Sequence, residues 1–135
     1  MKKLAIILAG AALAACATTA PAETRVEKGE AKLAKMLEGY EQSGEPTSCI
    51  NAPRSTRLEV IDYVGVVYDA GDTIYVSRPS DPRSLGRNDV LIVERSTSQL
   101  CKQDVTHTID QTLGHVSGVV FLGDFVPYKR VSDAG

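Results

Sequence analysis

The sequence lacks the residues from which stacking surfaces are built. It contains no tryptophan, two phenylalanines and five tyrosines, and aromatic residues make up only 5% of the chain. Proteins that bind single-stranded nucleic acid stack its bases on aromatic side chains. Long runs of lysine or arginine are also missing, and the formal net charge is −2. Nucleic acid and anionic lipid are therefore not expected as partners, because both attract basic surfaces.

Long apolar segments are missing too, apart from one near the N-terminus. Residues 4–13 form an uncharged apolar run that follows Lys2 and Lys3. A helix needs about 20 apolar residues to span a bilayer, and this run is too short. A basic start, a short apolar run and small residues after it are typical of a secretory signal. The sequence therefore predicts an exported protein.

The apolar run ends in residues 13–16, which read LAAC. This tetrapeptide resembles the bacterial lipobox, in which a signal peptidase cuts before the cysteine and a diacylglyceride is joined to its thiol. The resemblance implies a lipoprotein signal peptide at 1–15 and a membrane anchor through lipid on Cys16. Thr18, in place of aspartate, implies a cell-envelope protein of the outer membrane that faces the periplasm. The alternative is an ordinary signal peptide, cut after Ala20.

The cysteine count becomes even once Cys16 carries lipid. Cys49 and Cys101 then remain, and a pair of cysteines in an oxidising compartment most simply forms a disulfide. Closing this loop would stabilise the fold by about 3–5 kcal/mol in the chain-entropy model. The alternative is a redox or metal role, which the long separation and the absence of a CxxC motif disfavour.

The chain after Cys16 divides into three parts. Residues 16–22 are small and polar, which predicts a lipidated flexible tether. Residues 23–45 predict one amphipathic helix, with a capping box formed by Thr24 and Glu27. The apolar stripe of this helix consists of Val26, Leu33, Leu37 and Tyr40. The helix is expected to pack on the main domain; the alternative is a free helix that binds a partner.

Residues 46–135 change to short, β-branched segments and predict a disulfide-bridged β-domain. Residues 64–68 and 73–77 surround a four-residue turn and form the clearest hairpin. Residues 78–88 contain two prolines, a glycine and three arginines, which predicts a loop. Further strands are expected at 90–94, 105–109, 119–122 and 125–128. The fold class is thus mainly β: a small antiparallel β-barrel or sandwich of six to eight short strands with one N-terminal helix.

Several short motifs of the β-domain occur together in one known family. They are Cys49-Ile50, RSTR at 54–57, VID at 60–62, SQLC at 98–101 and LGDFVPY at 122–128. With these motifs the chain resembles an uncharacterised family of small exported proteins and lipoproteins, chiefly from sphingomonads and related bacteria, classed as a domain of unknown function. The resemblance covers roughly residues 30–130 and implies no activity. Two further cysteines that members often carry are missing here.

Residues that could carry chemistry are few. His107 and His115 are the only histidines, and their spacing matches no common metal motif. We therefore predict no metal site, no cofactor and no catalytic residue. The most distinctive polar group is Arg78, Arg83 and Arg87 in the 78–88 loop, which could bind an anion or a partner. The alternative is that arginines of this region form surface ion pairs with Asp81, Asp89 and Glu94.

Three functions are consistent with these features. We expect a cell-envelope lipoprotein that is not an enzyme and acts as a binding module, with an envelope protein as its partner. Such a module predicts an exposed apolar or arginine-rich patch. The first alternative is an inhibitor of a periplasmic hydrolase, which predicts a protruding loop at 79–88. The second is an enzyme, which requires titratable groups that converge in a pocket.

Overall fold

A computed structural model describes residues 21–54, 57–86 and 88–131 of the chain, with the backbone alone for residues 21–23. The predicted signal peptide, the predicted lipidation site Cys16, most of the predicted tether and Arg87 lie outside the described residues. The predictions made for them therefore stay predictions. None of the helices in the described part of the chain has the length and apolar character needed to cross a membrane.

The described residues form one α-helix, one short 3-10 helix at Pro82–Ser84 and ten β-strands. The helix, α1, spans Pro21–Met36. The strands are β1 (Tyr40–Gln42), β2 (Cys49–Asn51), β3 (Leu58–Ile61), β4 (Gly65–Asp69), β5 (Thr73–Ser77), β6 (Asp89–Glu94), β7 (Gln99–Cys101), β8 (Val105–Asp110), β9 (Val116–Val120) and β10 (Phe125–Arg130).

The strands form three antiparallel sheets. One has five strands in the order β1-β10-β5-β4-β3, a second pairs β2 with β7, and the third has the order β6-β8-β9. The prediction of a mainly β fold with one N-terminal helix is confirmed. The predicted barrel is not found, because within the described ranges the sheets do not close, and the strands number ten instead of six to eight. Three of the strands have only three residues each, which is too short for a periodic pattern in the sequence.

Two apolar cores lie on opposite faces of the five-stranded sheet. The helix-side core is formed by α1 and one face of this sheet, with the buried residues Leu33, Ile61, Val64, Val67, Ile74 and Val76. The central core joins the other face to the two smaller sheets, with Ile50, Ala52, Val66, Tyr68, Leu85, Leu100, Val120, Leu122 and Phe125. Alternation along the central strands explains the division, because successive side chains of a strand point to opposite faces.

The helix is shorter than the predicted segment 23–45 and begins earlier. It ends at Met36, and Gly39 takes a positive φ of 78° before β1. Glycine adopts this backbone conformation without the steric penalty that other residues meet, so it ends the helix. Because α1 already begins at Pro21, Thr24 lies inside the helix and is not its N-cap, contrary to the predicted capping box.

The face that α1 buries also differs from the predicted stripe. Leu33 is buried as predicted, whereas Val26 is 40% exposed. Gly29, one turn before Leu33, is the point of closest approach. A Cβ atom there would lie 2.5 Å from the carbonyl oxygen of Asp62 and 2.6 Å from a methyl carbon of Val64. Any larger residue at position 29 would therefore push the helix away from the sheet.

The predicted disulfide and the predicted hairpin are both present. Cys49 of β2 lies opposite Cys101 of β7 in the register of the two-stranded sheet, and a disulfide joins them. Ile50 and Leu100, the next pair of this register, are buried in the central core. The bridge thus fixes the two-stranded sheet beside the core. The hairpin at 64–68 and 73–77 corresponds to β4 and β5, which pair antiparallel.

Candidate functional site

Two of the three loop arginines are held in separate ion pairs. Arg78 donates from Nη1 and Nη2 to both carboxylate oxygens of Glu30 on α1, at 2.6 and 3.1 Å. Arg83 donates from Nε to Asp81 Oδ1 at 2.9 Å. The Asp81 pair is the alternative that the sequence offered, whereas the partner of Arg78 comes from a distant part of the chain. The structure does not bring Arg78 and Arg83 together on a common ligand, and Arg87 lies outside the described residues.

The ion pairs change the titration of their carboxylates. The hydrogen bond from Arg78, with its charge, lowers the pKa of Glu30 against a smaller opposing effect of burial. The hydrogen bonds from Arg83 likewise lower the pKa of Asp81. Both carboxylates therefore stay ionised at pH values where an ordinary carboxyl group begins to take up a proton.

The Glu30–Arg78 ion pair is expected to stabilise the folded state by a small amount that depends on pH. Glu30→Gln should lower the free energy of unfolding at pH 7 by up to about 1 kcal/mol, because both side chains are about half exposed and the pair is screened by solvent. A lowered pKa contributes stability above the ordinary glutamate range, and the contribution is lost as the pH falls through the folded-state pKa. Urea unfolding at pH 7 and at acidic pH should therefore show a difference that shrinks on acidification. Glu27→Gln, an exposed position on the same helix, is the control; an equal loss for Glu30→Gln at both pH values would contradict the assignment.

The two histidines lie on different elements. His107 is in the middle of β8, where its Nδ1 lies 3.8 Å from Glu94 Oε1 of β6. His115 is in the turn before β9, and its carbonyl oxygen accepts a hydrogen bond from the Asp110 amide. In the described ranges no three His, Cys, Asp or Glu side chains are grouped as a metal ion would require.

The predicted protruding loop at 79–88 is partly buried instead. Leu85 is fully buried in the central core, and Pro79 is also buried. Between them lies the 3-10 helix at Pro82–Ser84, whose first amide nitrogens are capped by Asp81. The described part of the loop therefore packs on the domain through Pro79 and Leu85, whereas Ser80, Asp81, Arg83 and Asn88 are exposed.

The three-stranded sheet exposes one apolar face. Ile92, His107 and Val119 lie in one row across β6, β8 and β9, and Val90, Ile109 and Val116 lie in another. A bulge at Thr108 and Ile109 shifts the register, so that Val116 and Val119 occupy the same face although they are three residues apart. We call this surface the outer apolar face; it comprises Val90, Ile92, Val105, His107, Ile109, Val116, Val119 and Phe121.

The outer apolar face is exposed along most of its length. Val105, Val116, Val119 and Phe121 are 53–68% exposed, and Leu113 in the adjoining turn is exposed as well. The opposite face of the same sheet is buried, with Thr106, Thr108 and Val120 directed toward the core. A strand was expected at 119–122, and an apolar run of this kind suggests burial on both faces. Val120 and Leu122 are indeed buried, but Val119 and Phe121 are exposed.

A cleft opens between the edge of the five-stranded sheet and the edge of the three-stranded sheet. Its volume is about 550 Å³. Leu58 and Val60 of β3 line one side, consecutive residues of β6 line the other, and Arg95 lies at one end. The remaining lining comes from Ala52, Tyr68 and Leu100. Apolar clefts of a few hundred Å³ with a few polar groups are typical of ligand sites.

Comparisons with protein-family models, curated proteins and solved structures find nothing that matches this chain. The resemblance to the exported sphingomonad family stays a prediction. Neither the outer apolar face nor the cleft was predicted from the sequence, in which the loop arginines are the most distinctive polar group. A signal for the outer apolar face was present in VTHTI and VVFL, but the spacing of apolar residues does not tell which face of a strand another layer covers.

Proposed function

We propose that this chain is a non-catalytic binding module of the bacterial cell envelope. It is anchored through lipid on Cys16, faces the periplasm and binds another envelope protein through the outer apolar face. The observation that carries the proposal is the exposure of Val105, Val116, Val119 and Phe121 on one side of a sheet whose other side is buried. The LAAC tetrapeptide and the Cys49–Cys101 bridge support the envelope location, since disulfides persist in oxidising compartments.

The size of the outer apolar face fits a protein interface. Its four most exposed side chains are 53–68% exposed and together offer on the order of a few hundred Å² of apolar surface, a size typical of functional patches. A standard interface buries about 800 Å² on each partner, with an apolar centre and a polar rim. Phe121 is the largest exposed side chain of the face and is suited to fill a pocket of the partner.

The charge of this face favours a protein over a nucleic acid or an anionic lipid surface. The eight residues of the face include no lysine or arginine, and the charged side chain beside His107 is Glu94. Phosphate groups would be repelled by this carboxylate and would find no fixed cation on the face. An apolar patch of another protein is not repelled by the Glu94 carboxylate and does not need a cation in order to bind.

Site-specific crosslinking in the native envelope tests the proposal. A photoreactive amino acid at Val119 should give a crosslinked product with one envelope protein, identified by mass spectrometry. The same group at Lys35, an exposed position on α1, should give none. Adding Phe121→Ser should remove the Val119 product without changing the amount of the protein. No product at Val119, or a product with a second copy of this chain alone, would refute a separate partner.

A further inference from the structure

Strand β6 is a free edge of the three-stranded sheet. It pairs with β8 on one side, and in the described residues no strand pairs with its other side. That other side faces the cleft, because Asp89, Val90, Leu91, Ile92 and Val93 all line it. Five consecutive residues contain both inward and outward side chains, so the cleft is bounded by the backbone edge of β6 itself.

The hydrogen bonds at the start of β6 show which backbone groups face the cleft. The carbonyl oxygen of Asn88 accepts from the Gln111 amide, which continues the β6–β8 ladder, whereas the Asp89 amide donates away from β8 to Gly86. Backbone groups of a strand alternate between its two sides. The N–H and C=O groups of Leu91 and Val93 therefore point into the cleft. In the described part of the chain, no turn backbone or side chain forms a hydrogen bond with them.

The side chains around this edge are suited to alternate residues of an extended peptide. Leu91 and Val93 pack at the margin of the central core, as do Leu58 and Val60 on the facing strand β3. A strand placed between β6 and β3 would direct every second side chain onto this apolar floor. Without such a strand, these partly buried residues remain at the open end of the core.

Arg95 gives the cleft a charge at one end. Its Nη1 donates to the carbonyl oxygen of Ser98 at 3.3 Å. In the described part of the chain no carboxylate lies within 4.0 Å of its guanidinium group, in contrast to Arg78 and Arg83. A guanidinium group binds a carboxylate with two parallel hydrogen bonds. Arg95 directly follows β6 in the chain. It is therefore suited to bind an acidic residue of a ligand at that end of the cleft.

We propose that β6 receives an extended peptide segment of a partner protein as a fourth, antiparallel strand. The segment has apolar side chains at alternate positions, which enter the cleft, and an acidic residue at its N-terminal end, next to Arg95. About six residues would match the length of β6, at roughly 3.4 Å per residue. Strand addition of this kind draws its affinity from main-chain hydrogen bonds and its specificity from the alternate side chains.

A hydrocarbon chain is a weaker candidate for the same cleft. It would fill the apolar volume but would leave the N–H and C=O groups of Leu91 and Val93 without partners. Polar groups that are removed from water without a hydrogen bond carry a large free-energy penalty. A peptide forms hydrogen bonds with these backbone groups and also covers the apolar floor with its side chains, which is why the peptide is favoured here.

The test uses the full mature protein and a synthetic peptide, acetyl-Asp-Thr-Val-Thr-Val-Thr-Val-amide, in which the aspartate and the valines lie on one face, with binding measured by isothermal titration calorimetry. N-methylation of the central valine removes an N–H that points toward β6, and should weaken binding at least tenfold. N-methylation of the adjacent threonine removes an N–H that points away from β6, and should leave binding unchanged. Equal losses for the two modified peptides, or no binding of the parent peptide, would overturn the proposal.

A charge variant tests the orientation of the peptide. Arg95→Gln should weaken the parent peptide several-fold and leave the peptide with asparagine in place of aspartate unaffected. Arg83→Gln, which changes an arginine outside the cleft, is the control and should alter neither. Binding of palmitate in the cleft together with failure of the peptide would assign the cleft to a lipid and refute strand addition. Phe121→Ser should not change peptide binding, so this test is independent of the outer apolar face.

Discussion

Replacing both Cys49 and Cys101 by serine should lower the free energy of unfolding by about 4 kcal/mol, as the chain-entropy model gives for a loop of about 50 residues. The bridge closes a loop between residues 52 positions apart. Without it, the unfolded chain gains conformational freedom, while the folded chain keeps the backbone pairing of β2 and β7. A loss of this size is a large part of the 5–15 kcal/mol or so by which domains are usually stable.

The double substitution is preferred to Cys49→Ser alone because it leaves no free thiol that could form mixed disulfides. Chemical denaturation monitored by circular dichroism gives the free energies of the parent and the variant. The parent protein unfolded in the presence of a reductant, which breaks the bridge, serves as the control. Its free energy of unfolding should match that of the double serine variant. A variant as stable as the oxidised parent would show that the bridge does not restrict the unfolded chain.

Phe125→Ala should destabilise the fold by about 3–5 kcal/mol, the range for truncation of a buried phenylalanine. Phe125 is 1% exposed in the central core at the start of β10. Its backbone exchanges hydrogen bonds with Thr47, and alanine would keep them. The loss therefore measures the side chain alone, through the cavity that it leaves between the sheets.

The only other phenylalanine of the chain provides a matched control. Phe121 lies four residues earlier and is 68% exposed on the outer apolar face. Phe121→Ala should change the free energy of unfolding by less than about 0.5 kcal/mol, as is usual for surface positions. Thermal or urea unfolding of both variants under one condition makes the comparison. Similar losses for the two would contradict the assignment of Phe121 to the surface and, with it, the proposed interface.

The features predicted correctly from the sequence depend on local patterns or on simple counting. The β4–β5 hairpin combines two β-branched segments with a glycine turn, so neighbouring residues determine it. The disulfide was predicted from the cysteine count of a chain that is itself only predicted to be exported. Strand β1, by contrast, pairs Tyr40 with Arg130. Three residues whose partner lies so far along the chain have no local signature, and they were assigned to the helix.

The candidate surfaces were harder to predict, for a related reason. The run Val119 to Leu122 is apolar at every position, which is typical of a strand covered on both faces. Only one face is covered, because the three-stranded sheet lies at the margin of the molecule. Likewise, no pattern in β6 shows that it is an edge strand. Exposure of a face and of an edge depends on how the layers assemble, which a single sequence does not reveal.

The position of β10 in the five-stranded sheet has a consequence for the timing of folding. β10 is the last strand of the described chain, yet it is an inner strand of the sheet, between β1 and β5. A chain that emerges N-terminus first from a ribosome or a membrane channel therefore cannot assemble this sheet until its final segment is free. Contacts between such distant segments slow folding. The pairing of β1 with β10 is therefore expected to be a late step in the assembly of the sheet.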